Sequence, residues 1–164
     1  MTTTEMADLL LGGTASAGKD RLTAAGACGI PQIIAPGATD MVNFGPTDTL
    51  PEKYLSRTKY QHTAMTTLVR TTPEETAEIA RQTAQRLNAA TGPVAVFWPA
   101  GGVSDYDRLG QPFFDSTANL AWLNAMLQTL NPAILITQSD HHINDPDFAA
   151  LCAEWMITQL EVQT

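Results

Sequence analysis

The segment that most narrows the fold is Thr72-Pro73-Glu74-Glu75, which carries a complete helix-start signature. Thr72 is placed to cap, Pro73 suits the first helical position because its missing N–H would be unpaired there anyway, and Glu75 can reach back to close a capping box. Ile79, Ala80, Thr83, Ala84 and Leu87 then recur on one helical face to about Ala90. Gly92-Pro93 ends the helix, and the apolar run Val94-Ala95-Val96-Phe97-Trp98 follows at once. A helix with one apolar face feeding a strand that is apolar throughout predicts a strand buried on both sides of a sheet.

The same alternation recurs. Pro31-Gln32-Ile33-Ile34-Ala35 is a short apolar run bounded by turn residues, and Ala133 to Thr137 is another. A helix is predicted from Thr117 to Leu130, and a last one from Pro146 to Gln159 with Asp145 as its cap. At the N-terminus Thr2-Thr3-Thr4-Glu5 fits a capping box with Thr2 as N-cap, opening a helix that ends near Gly12-Gly13; Lys19 to Ala27 reads as a second short helix with Leu22 inward. Pro36 to Tyr54 has loop composition, with a turn of helix at Pro51 to Leu55, and Thr58 to Val69 reads as one strand followed by an irregular stretch. The expected fold is one α/β domain over residues 1–164, a three-layer α/β/α, Rossmann-like, doubly wound and mainly parallel sheet.

Composition restricts the function classes. The chain has 164 residues and a formal net charge of -8, with nine Lys and Arg in no run or stripe, so it is expected to bind no nucleic acid. Its apolar runs are broken well short of a membrane span and its N-terminus lacks a signal-peptide pattern, giving the expectation of a cytoplasmic protein with no membrane partner. Cys28 and Cys152 match no zinc or redox spacing and read as buried or half-buried free thiols.

In open α/β sheets ligands bind beyond the carboxyl ends of the strands, so the loops there are the candidates. The first, Pro36 to Gly45, offers Gly37 with Asp40 and Asn43 as polar anchors; the second, Pro99 to Asp107, offers Gly101 and Gly102 as backbone donors and Ser104 as a hydrogen-bonding hydroxyl. Each reads equally as a structural turn. Arg57 and Arg70 are the basic residues nearest these loops and would balance a phosphate or carboxylate, with solvated surface arginine as the plain alternative. Ser104 lies outside any GxSxG elbow, and no base is spaced to activate it. The third loop gathers Asp140, His141 and His142, which with His62 raises a metal-assisted hydrolase as an alternative; neighbouring histidines point apart in extended chain, and no metal site is assigned. Gly13 to Lys19 imitates a phosphate loop, but Asp20 stands where Ser or Thr is required. Trp98, Trp122 and Trp155 fall where packing is expected.

Several segments combine into a resemblance: Thr2-Thr3-Thr4-Glu5, Asp20-Arg21-Leu22, Gly29-Ile30-Pro31-Gln32, Pro36-Gly37-Ala38, Asp40-Met41-Val42-Asn43-Phe44-Gly45, Arg70 to Glu75, and His142 to Pro146. Together they resemble the Tm-one-like ATP-binding family over nearly the whole chain, and Asp40 to Gly45 is the most specific piece. The resemblance implies a two-domain α/β protein with this chain as its C-terminal domain, sometimes fused to a TIM barrel. It implies ATP as a cofactor, with no residue of this chain assigned to it. It also implies a plant member that inhibits tobamovirus RNA replication by binding the viral replication protein. The expected partners are a small-molecule or nucleotide ligand, and either the family's N-terminal domain or further copies of this chain. The expected role is small-ligand binding, with a protein-interaction module as the alternative. A strand missing before Thr2 would leave a sheet edge that favours pairing.

Overall fold

The computed structural model describes residues 3–162. Its helices are α1 (Thr4–Leu11), α2 (Ala24–Ala27), α3 (Pro73–Asn88), α4 (Ser116–Thr129) and α5 (Pro146–Val162); its strands are β1 (Gln32–Ile34), β2 (Met41–Phe44), β3 (Lys59–Thr63), β4 (Thr66–Arg70), β5 (Val94–Pro99) and β6 (Leu135–Ser139). The strands form a parallel sheet in the order β1-β5-β6 and an antiparallel sheet in the order β2-β4-β3.

The parallel sheet is the middle of a three-layer α/β/α, Rossmann-like arrangement. Each step from β1 to β5 to β6 moves the same way across the sheet. Right-handed crossovers therefore leave α3 and α4 packed together on one face. Thr72 accepts from the Glu75 amide and Glu75 accepts from the Thr72 amide, so α3 starts with a complete capping box. Its buried positions include Ile79, Ala80, Thr83, Ala84 and Leu87. Ile79, Ala80, Ala84 and Leu87 join Ile34, Val96, Met126 and the stacked rings of Trp98 and Trp122, 5.1 Å between centroids, in the larger core. On the other face Ile33, Ala35, Ala95 and Phe97 pack against Phe148 and Trp155 of α5.

Local structure departs from the sequence pattern in several places. The α1 N-cap is Thr3, with no side-chain cap bond; the proposed cap Thr2 lies outside the described residues. The helix expected over Lys19 to Ala27 shrinks to α2, with Leu22 buried but held at φ 72. Pro36 to Tyr54 contains a strand, β2, and Thr58 to Val69 holds the β3–β4 hairpin rather than one strand. The third parallel strand starts at Leu135, two residues beyond the expected Ala133. Cys28 is exposed and Cys152 half-buried, both as free thiols.

The antiparallel sheet bears on the ligand question because of where it packs. Val42, Phe44 and Val69 sit on Leu50, Tyr54 and Leu11, while Met41 and Leu68 face Phe113, Ala38 and Tyr106. The second set brings the small sheet against the loops that leave β1 and β5. Among the described residues no helix is long and apolar enough to cross a membrane.

Candidate functional site

Because β1, β5 and β6 run parallel, their carboxyl ends lie side by side and their outgoing loops meet. Backbone bonds fasten them: Ala38 N–H donates to Val103 O at 2.8 Å, Gly101 N–H to His141 O at 3.1 Å, and Ile143 N–H to Gly102 O at 3.0 Å. Between the loops lies a cavity of about 400 Å³. Gly37 and Ala38 border it from the first loop, Val103, Ser104, Asp105 and Tyr106 from the second, and Ile143 and Asn144 from the third; Thr4 and Met41 complete the wall.

Behind this wall is a buried polar network. The Ser104 hydroxyl donates to Asp40 Oδ2 at 2.7 Å and accepts from the Tyr106 amide at 3.1 Å. The other carboxylate oxygen of Asp40 is buried without a hydrogen-bond partner. Burial pushes the Asp40 carboxyl up to about 6, opposed by the Ser104 hydrogen bond and reinforced by the charge of Asp107. Asp107 is itself raised by burial, against hydrogen bonds from the Val103 amide and Asn119. Arg70 lies 3.7 Å from Asp107, but its guanidinium donates chiefly to Phe113 O, Asp40 O and Thr71.

At the open side, Asn144 Nδ2 donates to Asp105 Oδ1 at 3.0 Å, and this hydrogen bond is the first cause holding the Asp105 carboxyl below its usual range. Tyr106 O–H pairs with His62 Nδ1 at 2.8 Å. The wall thus presents the Ser104 hydroxyl, the Asp105 carboxylate and the Asn144 amide, with Thr4 and Tyr106 beside them, among the apolar Ala38, Met41, Val103 and Ile143. This is the pattern of a pocket that orients a small polar molecule by a few convergent groups.

The residues singled out from the sequence separate into three groups. Gly37 and Ser104 line the cavity, and Asp40 and Arg70 lie in the network behind Ser104 and Phe113. Gly101 and Gly102 serve packing: their N–H groups are spent on His141 O and Pro99 O, so the role of backbone donor to a ligand does not hold for them. A Cβ on Gly101 would stand 2.6 Å from His142 N, which explains the glycine there. Asn43 is bound to Asp8, its amide at 2.9 Å and its side chain at 2.7 Å. Arg57 is paired with Glu75 at 2.7 Å. Neither lines the cavity.

His142 explains the third loop. The Asn144 N–H donates to its Nδ1 at 3.1 Å, which places the ring proton on Nε2, and Nε2 donates to Ser104 O at 2.9 Å. The ring is 2% exposed and links two loops. Among the described residues no group of three His, Cys, Asp or Glu side chains gathers to hold a metal ion, so Asp140, His141 and His142 form no such centre. Asp145 accepts from the His142 amide at 2.8 Å, buttressing the turn before α5.

Asp105, Tyr106 and Asn144 are the wall residues that sequence reasoning passed over. Their loops were identifiable as strand exits, but nothing in the spacing says which side chains turn toward the common space. Met41 and Thr4 come from elements whose approach depends on tertiary packing alone.

Comparison with known proteins agrees with the resemblance drawn from the sequence. The family model described as Uncharacterised protein family (UPF0261) C-terminal domain matches residues 1–160. A UPF0261 protein of Clostridium tetani is 43% identical over 162 residues, 98% of this chain and 40% of the relative. A UPF0261 protein of Rhizobium meliloti is 42% identical over 151 residues, 91% of this chain and 38% of the relative. The ToMV resistance protein Tm-1 of Solanum lycopersicum is 38% identical over 152 residues, 91% of this chain but 20% of that protein. The chain therefore spans about two-fifths of the length of the two bacterial relatives.

Proposed function

The chain belongs to the uncharacterised UPF0261 family, as its C-terminal domain, and on that premise we propose that it is a small-ligand-binding domain whose ligand sits between the loops leaving β1, β5 and β6. The observation that carries this reading is the convergence of all three loops on one cavity, with Ser104, Asp105 and Asn144 at its wall. Gly37 gives close approach on one side, Ser104 offers its hydroxyl, and Asp40 acts through Ser104 by fixing that hydroxyl's direction. Arg70 keeps the Phe113 segment in place rather than meeting the ligand.

The lining also bears on the ligand's chemistry. Among the described residues no Lys or Arg borders the cavity, and Asp105 does. That supports a polar metabolite with hydroxyl or amine donors over a nucleotide or phosphorylated metabolite, the classes that the family resemblance brings forward. ATP, if it is the ligand of the longer protein, would owe its phosphate contacts to the rest of that protein. Calorimetric titration with polyols, amines, nucleotides and sugar phosphates tests the proposal. Binding of a polyol or an amine, weakened in Ser104→Ala and Asn144→Ala, supports it; binding unaffected by both variants, or confined to phosphorylated compounds, overturns it.

A second reading, an interaction module, draws on the tomato relative, whose printed name is that of a virus resistance protein. Under that reading the same variants leave small-molecule titrations silent, and the domain is captured by another protein.

A further inference from the structure

The polar side chains at the cavity wall have more acceptors to offer than donors. The Ser104 hydroxyl has one hydrogen, and it goes to Asp40 Oδ2 at 2.7 Å. At about pH 7.5 the Asp40 carboxyl, raised to about 6, is mostly ionised and can only accept, so the direction of that bond is fixed. One lone pair of Ser104 Oγ takes the Tyr106 amide at 3.1 Å, and the other remains.

Asn144 is oriented by the same reasoning. Asp105 Oδ1, 3.0 Å away, belongs to an ionised carboxylate, so the amide nitrogen must face it and the amide oxygen faces elsewhere. Among the described residues neither Asn144 Oδ1 nor Asp105 Oδ2 receives a hydrogen bond. Tyr106 O–H is paired with His62 Nδ1, leaving Thr4 and the second N–H of Asn144 as the side-chain donors not already engaged.

The charge around this wall is predominantly negative. Asp105 stands on it, and buried behind Ser104 are two carboxyls, Asp40 and Asp107, with one guanidinium, Arg70, acting on both. Arg108 lies outside the lining and divides itself between Asp105 at 3.4 Å and Asp145 at 3.8 Å.

Resting on the reading of this cavity as a small-molecule site, we propose that the group it recognises is a primary ammonium, set between Ser104 Oγ, the Asp105 carboxylate and Asn144 Oδ1. An ammonium carries three donors, no acceptor and one positive charge, which matches three acceptors of which one is anionic. A hydroxyl brings a single hydrogen and leaves two of those acceptors unmet. A phosphate or carboxylate brings none and meets Asp105 with like charge. The ligand class is therefore an amine without an acidic group, such as an amino alcohol, an amino sugar or a diamine.

The experiment is calorimetric titration of the 164-residue chain with matched pairs, ethanolamine against ethylene glycol and glucosamine against glucose. The amine of a pair should bind about fivefold or more tighter than its hydroxyl counterpart, the most that a partly exposed ion pair supplies. Asp105→Asn keeps an oxygen for Asn144 and removes the charge, and it should abolish that preference with the circular dichroism unchanged. Arg108→Gln removes a competing cation and should leave amine binding as tight or tighter. Equal binding of both members of each pair, weakened alike by Ser104→Ala and Asn144→Ala, overturns the ammonium while the small-ligand site stands; binding of neither member that responds to those two variants removes both. An amine preference that persists in Asp105→Asn, or amine binding lost in Arg108→Gln, also overturns the proposal. Should Asp105→Asn unfold, the unmodified chain decides as pH rises through the amine's own pKa: loss of the preference supports the ammonium, and its persistence overturns it.

Discussion

Ser104 Oγ lies 2.7 Å from Asp40 Oδ2, and this one hydrogen bond joins the loop after β5 to the loop after β1. The bond is buried, and its acceptor has a second oxygen with no partner. A carboxylate in that position is an electrostatic liability unless a proton or a polar ligand relieves it.

This liability gives a pH dependence. The carboxyl of Asp40 moves from an ordinary 3.8 to about 6 in the fold, so the folded state holds its proton more tightly than the unfolded chain does. The stabilisation from that proton is whole below the unfolded value and is lost as pH rises through about 6, a change of ~3 kcal/mol at most. Asp40→Asn keeps an acceptor for Ser104 and removes the titration. Urea unfolding on either side of this window should show a shallower fall with pH in the variant, leaving the smaller contributions of Asp8 and Asp107, both also raised. An unchanged slope would mean that Asp40 is not the titrating group.

Gly101 makes a second prediction. Gly101→Ala drives a methyl to 2.6 Å from His142 N and 2.7 Å from His141 C, both backbone atoms that cannot swing aside. The third loop must move, carrying Asn144 away from Asp105, at a cost of about 1–3 kcal/mol. Gly110→Ala is the control: its φ is +84 but its Cβ meets open space, so it should cost about 1 kcal/mol and leave the cavity intact. Thermal melts with amide chemical shifts of residues 101–106 and 141–145 distinguish the two.

A third prediction concerns α3, which connects the antiparallel sheet to the parallel one. Glu75 accepts from the Thr72 amide at 2.8 Å while pairing with Arg57. Thr72→Ala should cost about 1 kcal/mol as a lost cap. Glu75→Ala should cost more than Glu75→Gln, because Gln keeps an acceptor for the Thr72 amide and gives up only the charge of a largely buried ion pair with Arg57. Denaturation midpoints that rank Gln with Ala would show that the ion pair, not the cap, carries the effect.

Sequence reading succeeded where local chemistry and global packing agree. Thr72-Pro73-Glu74-Glu75 states a helix start in its side chains, and Val94 to Trp98 has no polar face to expose, so α3 and β5 were legible. It failed at the antiparallel sheet. Met41 to Phe44 is too short for a clear period and lies among Gly and Pro residues, while β3 is exposed at all five positions and so has no apolar alternation to detect. The three strand-exit loops followed from the parallel strands, and Gly37 and Ser104 do line the shared cavity. Asn43 and Arg57 do not, since each found a carboxylate elsewhere in the fold, Asp8 and Glu75, and long-range pairing of that kind leaves no trace in spacing.

The central claim, that the cavity between the three loops holds a small polar ligand, is tested most directly by thermal melting of the unmodified chain and of Ser104→Ala and Asn144→Ala against a panel of polyols, amines, nucleotides and sugar phosphates. A ligand that binds only the folded state raises the melting temperature. The account predicts a rise with a polyol or amine that is lost in both variants while their unliganded melts stay close to the parent. A rise of equal size in all three proteins, or one confined to phosphorylated compounds, would contradict it.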